Sequence, residues 1–172
     1  MTKQNPMRKV KLEKVVLSCG ATGPDLEKSQ KLLEMLTKRK AQIVYSGPQR
    51  RIPNFNVKPN MPLGTSVTLR GASAKEYLQK FLGAIDNKLR RKQIVRNGFS
   101  FGIHEYIEIP GVEYKREIGI RGLNVTASFI RAGVRVKRKK IKSGRMPERQ
   151  YVHKDEIMEF MKENFKTEFI GK

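Results

Sequence analysis

The sequence has little of what catalytic and metal-binding proteins depend on. It contains one cysteine, no tryptophan, two histidines far apart (His104 and His153), and 16 acidic residues among 172. A single cysteine excludes a disulfide framework and a multi-cysteine zinc site. No apolar run approaches the roughly 20 residues needed to span a bilayer, and the first residues, Met1 to Arg8, lack the apolar stretch of a secretion signal. A soluble, cytoplasmic protein without membrane contact is expected. No Ser/His/Asp or Cys/His pairing marks a nucleophile. Glu105, Glu108, Glu113 and Glu117 lack the spacing of a metal loop. No catalytic residue, metal site or cofactor is therefore expected.

What the chain does have is positive charge. Its 37 Lys and Arg residues give a net charge of +21. The acids are also unevenly placed. None falls between Glu34 and Glu76, a gap of 41 residues where the chain average predicts about 3.8. That gap holds Lys38, Arg39, Lys40, Arg50, Arg51, Lys58, Arg70 and Lys75. A second acid-free stretch, 118–147, carries nine bases, and a third, 87–104, carries five. Solubility is served by mixed signs. Bases gathered without neutralising acids suit phosphate contacts and counterion release, so the charge pattern points to a nucleic acid. A solvated basic surface is the plain alternative. A membrane-surface role would need a basic amphipathic helix with an apolar face, and none stands out.

The hydrophobic periodicity defines an α+β domain. Residues 11–19 alternate as a strand with Val15, Leu17 and Cys19 inward. Pro24-Asp25 opens a helix carrying Leu26, Leu32, Leu33 and Leu36 and ending near Lys38. A short strand fits 42–45. Residues 63–70 alternate, with Leu63, Thr65, Val67 and Leu69 opposite Gly64, Ser66, Thr68 and Arg70. Ser73 to Glu76 reads as a capping box before a helix whose face holds Leu78, Phe81, Leu82, Ile85 and Leu89. A long strand is expected over 99–109, with Ser100, His104 and Tyr106 on its polar side and Pro110-Gly111 breaking it. Another spans 122–130, and a last helix covers 154–165 with Ile157, Phe160 and Met161 inward.

A mostly antiparallel sheet follows, with helices on one face. The other face is polar: Ser66, Thr68, Arg70, His104, Tyr106, Asn124, Thr126 and Ser128. It is either simply wetted or meets an RNA backbone, which the charge favours. A single domain over 1–172 is expected, with a protruding loop at 46–61 and a basic stretch at 131–149. The loop holds Pro48, Pro53 and Pro59, no acid, Arg50, Arg51, Lys58 and the lone aromatic Phe55. Loops of this length are usually functional or disordered. Arginine pairs bidentately with phosphate and a ring stacks on a base, so the loop is expected to touch nucleic acid; a floppy insertion is the alternative. The basic stretch lies inside the fold and is expected to order against phosphate. The loop at 46–61 and the basic residues over 135–149 are expected to be mobile in the free protein and to order on assembly. Gly20-Ala21-Thr22-Gly23 has the shape of a phosphate turn but lacks the Lys and Ser/Thr of a Walker loop and the basic residues of a KH clamp. It is expected to be a tight connection. Cys19 is expected to be a core residue.

Several segments, in order and spacing, carry a resemblance to a known family. They are Asn5-Pro6-Met7-Arg8, Pro62-Leu63-Gly64, Val67-Thr68-Leu69-Arg70-Gly71, Phe99-Ser100-Phe101-Gly102-Ile103, Ile109-Pro110-Gly111-Val112-Glu113-Tyr114 and Glu117-Ile118-Gly119-Ile120. Over almost its whole length the chain resembles the large-subunit ribosomal protein L-five family, in its archaeal and eukaryotic-type branch. The resemblance implies a non-enzymatic structural protein that binds 5S ribosomal RNA and helps hold it in the central protuberance. It also implies that the long loop reaches P-site tRNA and that the protein contributes to a bridge with a small-subunit head protein. Ser18 stands where the family usually has Asn, Leu36-Thr37-Lys38-Arg39-Lys40-Ala41 replaces Leu-Thr-Gly-Gln-x-Pro, and Ala132 replaces the usual Pro.

Resemblance and charge pattern together imply rRNA-binding roles for Ser18, Arg39, Phe55, Ser66, Thr68, Arg70, Arg135, Lys137, Arg138 and Lys139. They imply tRNA contact by Arg50, Arg51, Pro53, Asn54 and Lys58. The expected partners are 5S rRNA, large-subunit rRNA, P-site tRNA and neighbouring ribosomal proteins. A generic basic RNA-binding protein or RNA chaperone is the alternative. An RNA-modifying enzyme is a further rival, for which the sequence offers no motif.

Overall fold

The computed structural model describes residues 5–171. Its elements follow the alternation closely where one face is buried. Strand β1 (Lys11–Gly20) buries Val15, Leu17 and Cys19. Helix α1 (Pro24–Thr37) begins at a proline, whose missing N–H has no intrahelical acceptor to lose at that position, and buries Leu32, Leu33 and Leu36. Strand β2 (Gln42–Tyr45) pairs antiparallel with β3 (Pro62–Arg70), Gln42 opposite Ser66. Helix α2 (Ala72–Gly83) buries Ala74, Leu78, Phe81 and Leu82. Then come β4 (Lys88–Arg90), β5 (Ile94–Val95), β6 (Gly98–Ile103), β7 (Leu123–Ile130), the single-turn α3 (Arg135–Arg138), α4 (Lys154–Phe165) and β8 (Glu168–Ile170). Six strands form a mostly antiparallel sheet in the order β2-β3-β1-β7-β6-β5, and β4 with β8 forms a small parallel pair. The α+β architecture is therefore as expected.

The chain divides into two compact units. One comprises Met1–Val15, Arg70–Phe101 and Thr126–Lys172. Its core joins Leu78, Phe81 and Leu82 of α2 and Ile157 and Met161 of α4 with Phe99, Phe101, Ala127 and Phe129. The Phe129 ring meets Phe160 edge-on at 5.4 Å and Phe99 at 5.9 Å, a geometry that aromatic quadrupoles favour. The other unit comprises Val16–Leu69 and Gly102–Val125. There the leucines of α1 share the core with Leu17, Cys19, Val67, Leu69, Leu123 and Val125. Arg121 braces it, donating to Asp25 and to Ser29 Oγ at 3.3 Å. Gly64 lets two strands approach, since a Cβ there would lie 2.5 Å from the Cys19 carbonyl oxygen.

Four expectations are corrected. The strand drawn over 99–109 ends at Ile103, and a 3-10 turn follows at Tyr106–Glu108. The turn changes the period from two to three, so Tyr106 and Ile109 go inward while Ile107 is exposed. Tyr106 is thus fully buried, not on a polar face; its hydroxyl accepts from the Lys115 N–H at 2.8 Å. Helix α2 ends at Gly83, because Asp86 and Asn87 both adopt left-handed conformations (φ 52 and 56). Leu89 is buried in β4 rather than on the helix face. Ser73 does not cap α2: Gly71 holds that position at φ 72, a conformation open to glycine. A side-chain-to-backbone cap exists instead at α4, where Glu156 accepts from the His153 N–H at 3.0 Å. Segment 46–61 holds one short 3-10 turn at Pro53–Phe55, and the basic stretch holds α3.

Candidate nucleic-acid interface

The loop at 46–61 is closed at its base and braced near its tip. Ser46 is buried; its N–H donates to Met61 O at 2.8 Å, and its hydroxyl donates to Lys58 O at 2.6 Å and accepts from the Met61 N–H at 2.9 Å. Further out, Ile52 and Val57 exchange backbone hydrogen bonds of 3.0 and 3.1 Å. Pro53, Asn54 and Phe55 make the turn, closed by Asn56 in a left-handed conformation (φ 52). This miniature hairpin holds the Phe55 ring in water, 79% exposed. Arg50, Arg51, Pro53, Asn54 and Lys58 are exposed around it. The loop thereby gathers all five residues expected at a tRNA together with Phe55.

In the same unit, Ser18 and Ser66 are half-buried and Thr68 is exposed, on the adjacent strands β1 and β3 and on the side opposite their buried residues. Exposed Arg39 lies beyond the end of α1. Its turn is clipped by Glu34, whose carboxylate accepts from the Ala41 N–H and from Gln30 Nε2, each at 3.1 Å. These two bonds, the first foremost, hold the Glu34 carboxyl below the ordinary range. The Gly20–Gly23 turn spends its Ala21 N–H on Leu63 O at 3.1 Å, which fits a tight connection. Burial pushes the Cys19 thiol up to about 11, so it stays a neutral core thiol.

In the other unit, Arg70 and Arg138 meet at one carboxylate. Arg138 donates through Nη1 and Nη2 to both oxygens of Glu13, at 2.5 and 3.0 Å, and Arg70 Nη1 lies 3.6 Å from Glu13 Oε1. The Arg138 hydrogen bonds hold the Glu13 carboxyl below its ordinary range. Beside them opens a groove of about 500 Å³, lined by Lys14, Arg96, Ser100, Thr126, Ser128 and Lys137 among others. The guanidinium of Arg96 stacks over Tyr151 at 3.8 Å, and Lys137 lies 5.8 Å from the same ring. Arg135, Lys137 and Lys139 are exposed. Buried Arg131, by contrast, donates to Glu156 and to Arg149 O and anchors the basic stretch. Gln150 donates to Ala132 O.

Among the described residues, no group of three or more His, Cys, Asp and Glu side chains is placed to hold a metal ion, and no helix is long and apolar enough to cross a membrane. Residues 62–162 match the family model that describes the C-terminus of the ribosomal L-five family. Relatives named large ribosomal subunit protein uL5 match nearly end to end. That of Sulfurisphaera tokodaii is 41% identical over 96% of this chain and 95% of its own. That of Nanoarchaeum equitans is 37% identical over 97% and 99%, and that of Sulfolobus acidocaldarius 39% over 95% and 92%. The chain belongs to the uL5 family of large-subunit ribosomal proteins. Membership makes it a structural, non-enzymatic component of the ribosome, with a cytoplasmic location.

Three features of this uL5 chain lie outside the expected site residues: Glu13, the Arg96–Tyr151 stack and the Arg131 anchor. Glu13 and Arg138 are 125 residues apart, and an isolated pair at that distance leaves no local pattern. Arg131 alone carries a signal, as a charge directly following a strand that buries every second residue.

Proposed function

We propose that the chain binds 5S rRNA in the large subunit, with Ser18, Ser66, Thr68 and Arg70 on strand faces and Arg135, Lys137, Arg138 and Lys139 from the basic stretch. The loop at 46–61 contacts P-site tRNA through Arg50, Arg51, Pro53, Asn54 and Lys58, with Phe55 stacking on RNA. Arg39 adds a charge to rRNA. The observation that carries this reading is where the acid-free segments surface. All eight bases between Glu34 and Glu76 are exposed, as are all five in 87–104 and seven of the nine in 118–147, Arg121 and Arg131 being the exceptions. Exposed cations in acid-free runs bind polyanions by releasing condensed counterions, while hydroxyl-bearing strands and an exposed ring supply directional contacts.

A bridge to a small-subunit head protein fits a different surface. Exposed Ile107, Tyr114 and Ile120 stand among the exposed acids Glu105, Glu108, Glu113 and Glu117, which outnumber the neighbouring bases Lys115 and Arg116 in an otherwise basic chain. Such a stretch is less suited to RNA than the acid-free segments and fits a protein partner.

The assignment is tested by separating the two RNA contacts. Arg70→Ala is expected to weaken 5S rRNA binding about tenfold, the loss of one charge-assisted contact, and to leave tRNA contact by reconstituted subunits unchanged. Replacing Arg50 and Arg51 together by Ala is expected to do the reverse. Equal effects of both variants on every RNA would leave only a generic basic binder.

A further inference from the structure

Glu13 is an unusual acid for an RNA-facing surface. Its side chain is 7% exposed, whereas the other ion-paired acids among the described residues, Glu156, Asp25 and Glu148, are 35%, 54% and 89% exposed. Enclosing a carboxylate costs several kcal/mol unless partners compensate it, and here both partners are arginines the proposed function assigns to rRNA. Those arginines remain open to solvent: Arg70 is 59% and Arg138 54% exposed. A guanidinium has five N–H donors. Arg138 spends one from each of two nitrogens on Glu13, and Arg70 makes an ion pair without a hydrogen bond closer than 3.6 Å. The cluster keeps one net positive charge. Arg138 comes from α3, in the basic stretch, and Arg70 from the end of β3. Glu13 therefore joins two cations from distant segments, and with Arg138 it lines a groove that also holds Lys14, Ser100, Thr126 and Ser128.

We infer that Glu13 is a positioning residue: its carboxylate fixes the Arg70 and Arg138 guanidiniums so that their outward N–H groups grip an RNA phosphate as one unit. This rests on the rRNA-binding reading above. The cost of a negative charge near RNA is outweighed because an arginine held in one orientation loses less freedom on binding. The opposite arrangement, in which Glu13 stands in for a phosphate and must be displaced, makes the opposite prediction.

The test uses the full chain and 5S rRNA at several salt concentrations. Bulk electrostatics expects Glu13→Gln, which removes a negative charge, to tighten binding. Positioning expects it to weaken binding about tenfold, as for one charge-assisted contact, and to lower the slope of log K against log salt by about 0.7–0.9 per phosphate lost. The pair Arg70→Ala, Arg138→Ala with Glu13→Gln added is expected to bind no worse than that pair alone. Arg138→Lys keeps the charge but loses the fork and is expected to weaken binding similarly, so a misfolded Glu13→Gln chain does not end the test. Unchanged or tighter binding by folded Glu13→Gln, or full affinity of Arg138→Lys, overturns the inference. A wild-type chain with no preference for 5S rRNA would overturn the proposed function instead, and the salt slopes of the variants on any RNA would still decide the role of Glu13.

Discussion

Lys38 shows how a single residue trades stability for charge. It ends α1 in a left-handed conformation (φ 52, ψ 29), with its N–H donating to Glu34 O at 2.8 Å. Glycine takes this position without strain, whereas another residue is strained by about 1 kcal/mol or more. Part of that is offset by the larger unfolded entropy of glycine. Lys38→Gly is expected to raise unfolding stability by about 0.5 kcal/mol, read from the urea midpoint; a lower midpoint would contradict the strain argument. At this scale the sequence was informative wherever burial is one-sided. Val15, Leu17 and Cys19 alternate because one face of β1 is buried, and slipping by one residue would expose all three. Tyr106 escaped because a 3-10 turn reset the period. Leu89 escaped because its spacing from Ile85 fits a helix, although left-handed Asp86 and Asn87 intervene. The Glu13 cluster escaped because side chains far apart in sequence make it.

Among the elements, the loop at 46–61 is the most self-contained. Length and proline content mark it as special, but its closure at the base depends on Ser46, a residue no composition argument singles out. Ser46→Ala removes the hydroxyl bonds to Lys58 O and from the Met61 N–H. Amide exchange at Ile52, Val57 and Met61 is expected to accelerate, with β7 amides unchanged. Wild-type exchange rates at Ile52 and Val57 in the variant would mean that the closure at Ser46 does not hold the tip. The Phe55 ring is useful for stacking only if it is kept out of the core, and the Ile52–Val57 pairing does that. The helices are legible for an ordinary reason: their apolar residues recur at helical spacing. The short strands β4, β5 and β8 are two or three residues long, too short to show a period at all.

For the whole molecule, a net charge of +21 dominates. It guarantees attraction to any RNA at low salt, so affinity alone distinguishes little. What separates a ribosomal 5S-binding protein from a generic basic one is the contribution that survives screening: strand hydroxyls, oriented arginines and a stacked ring. The most direct measurement is competition binding to 5S rRNA at about 0.2–0.3 M salt, where purely electrostatic binding is much reduced, with tRNA and an unrelated folded RNA of equal length as competitors. The account predicts that 5S rRNA stays bound when the unrelated RNA is in excess. Equal displacement by every RNA would contradict it.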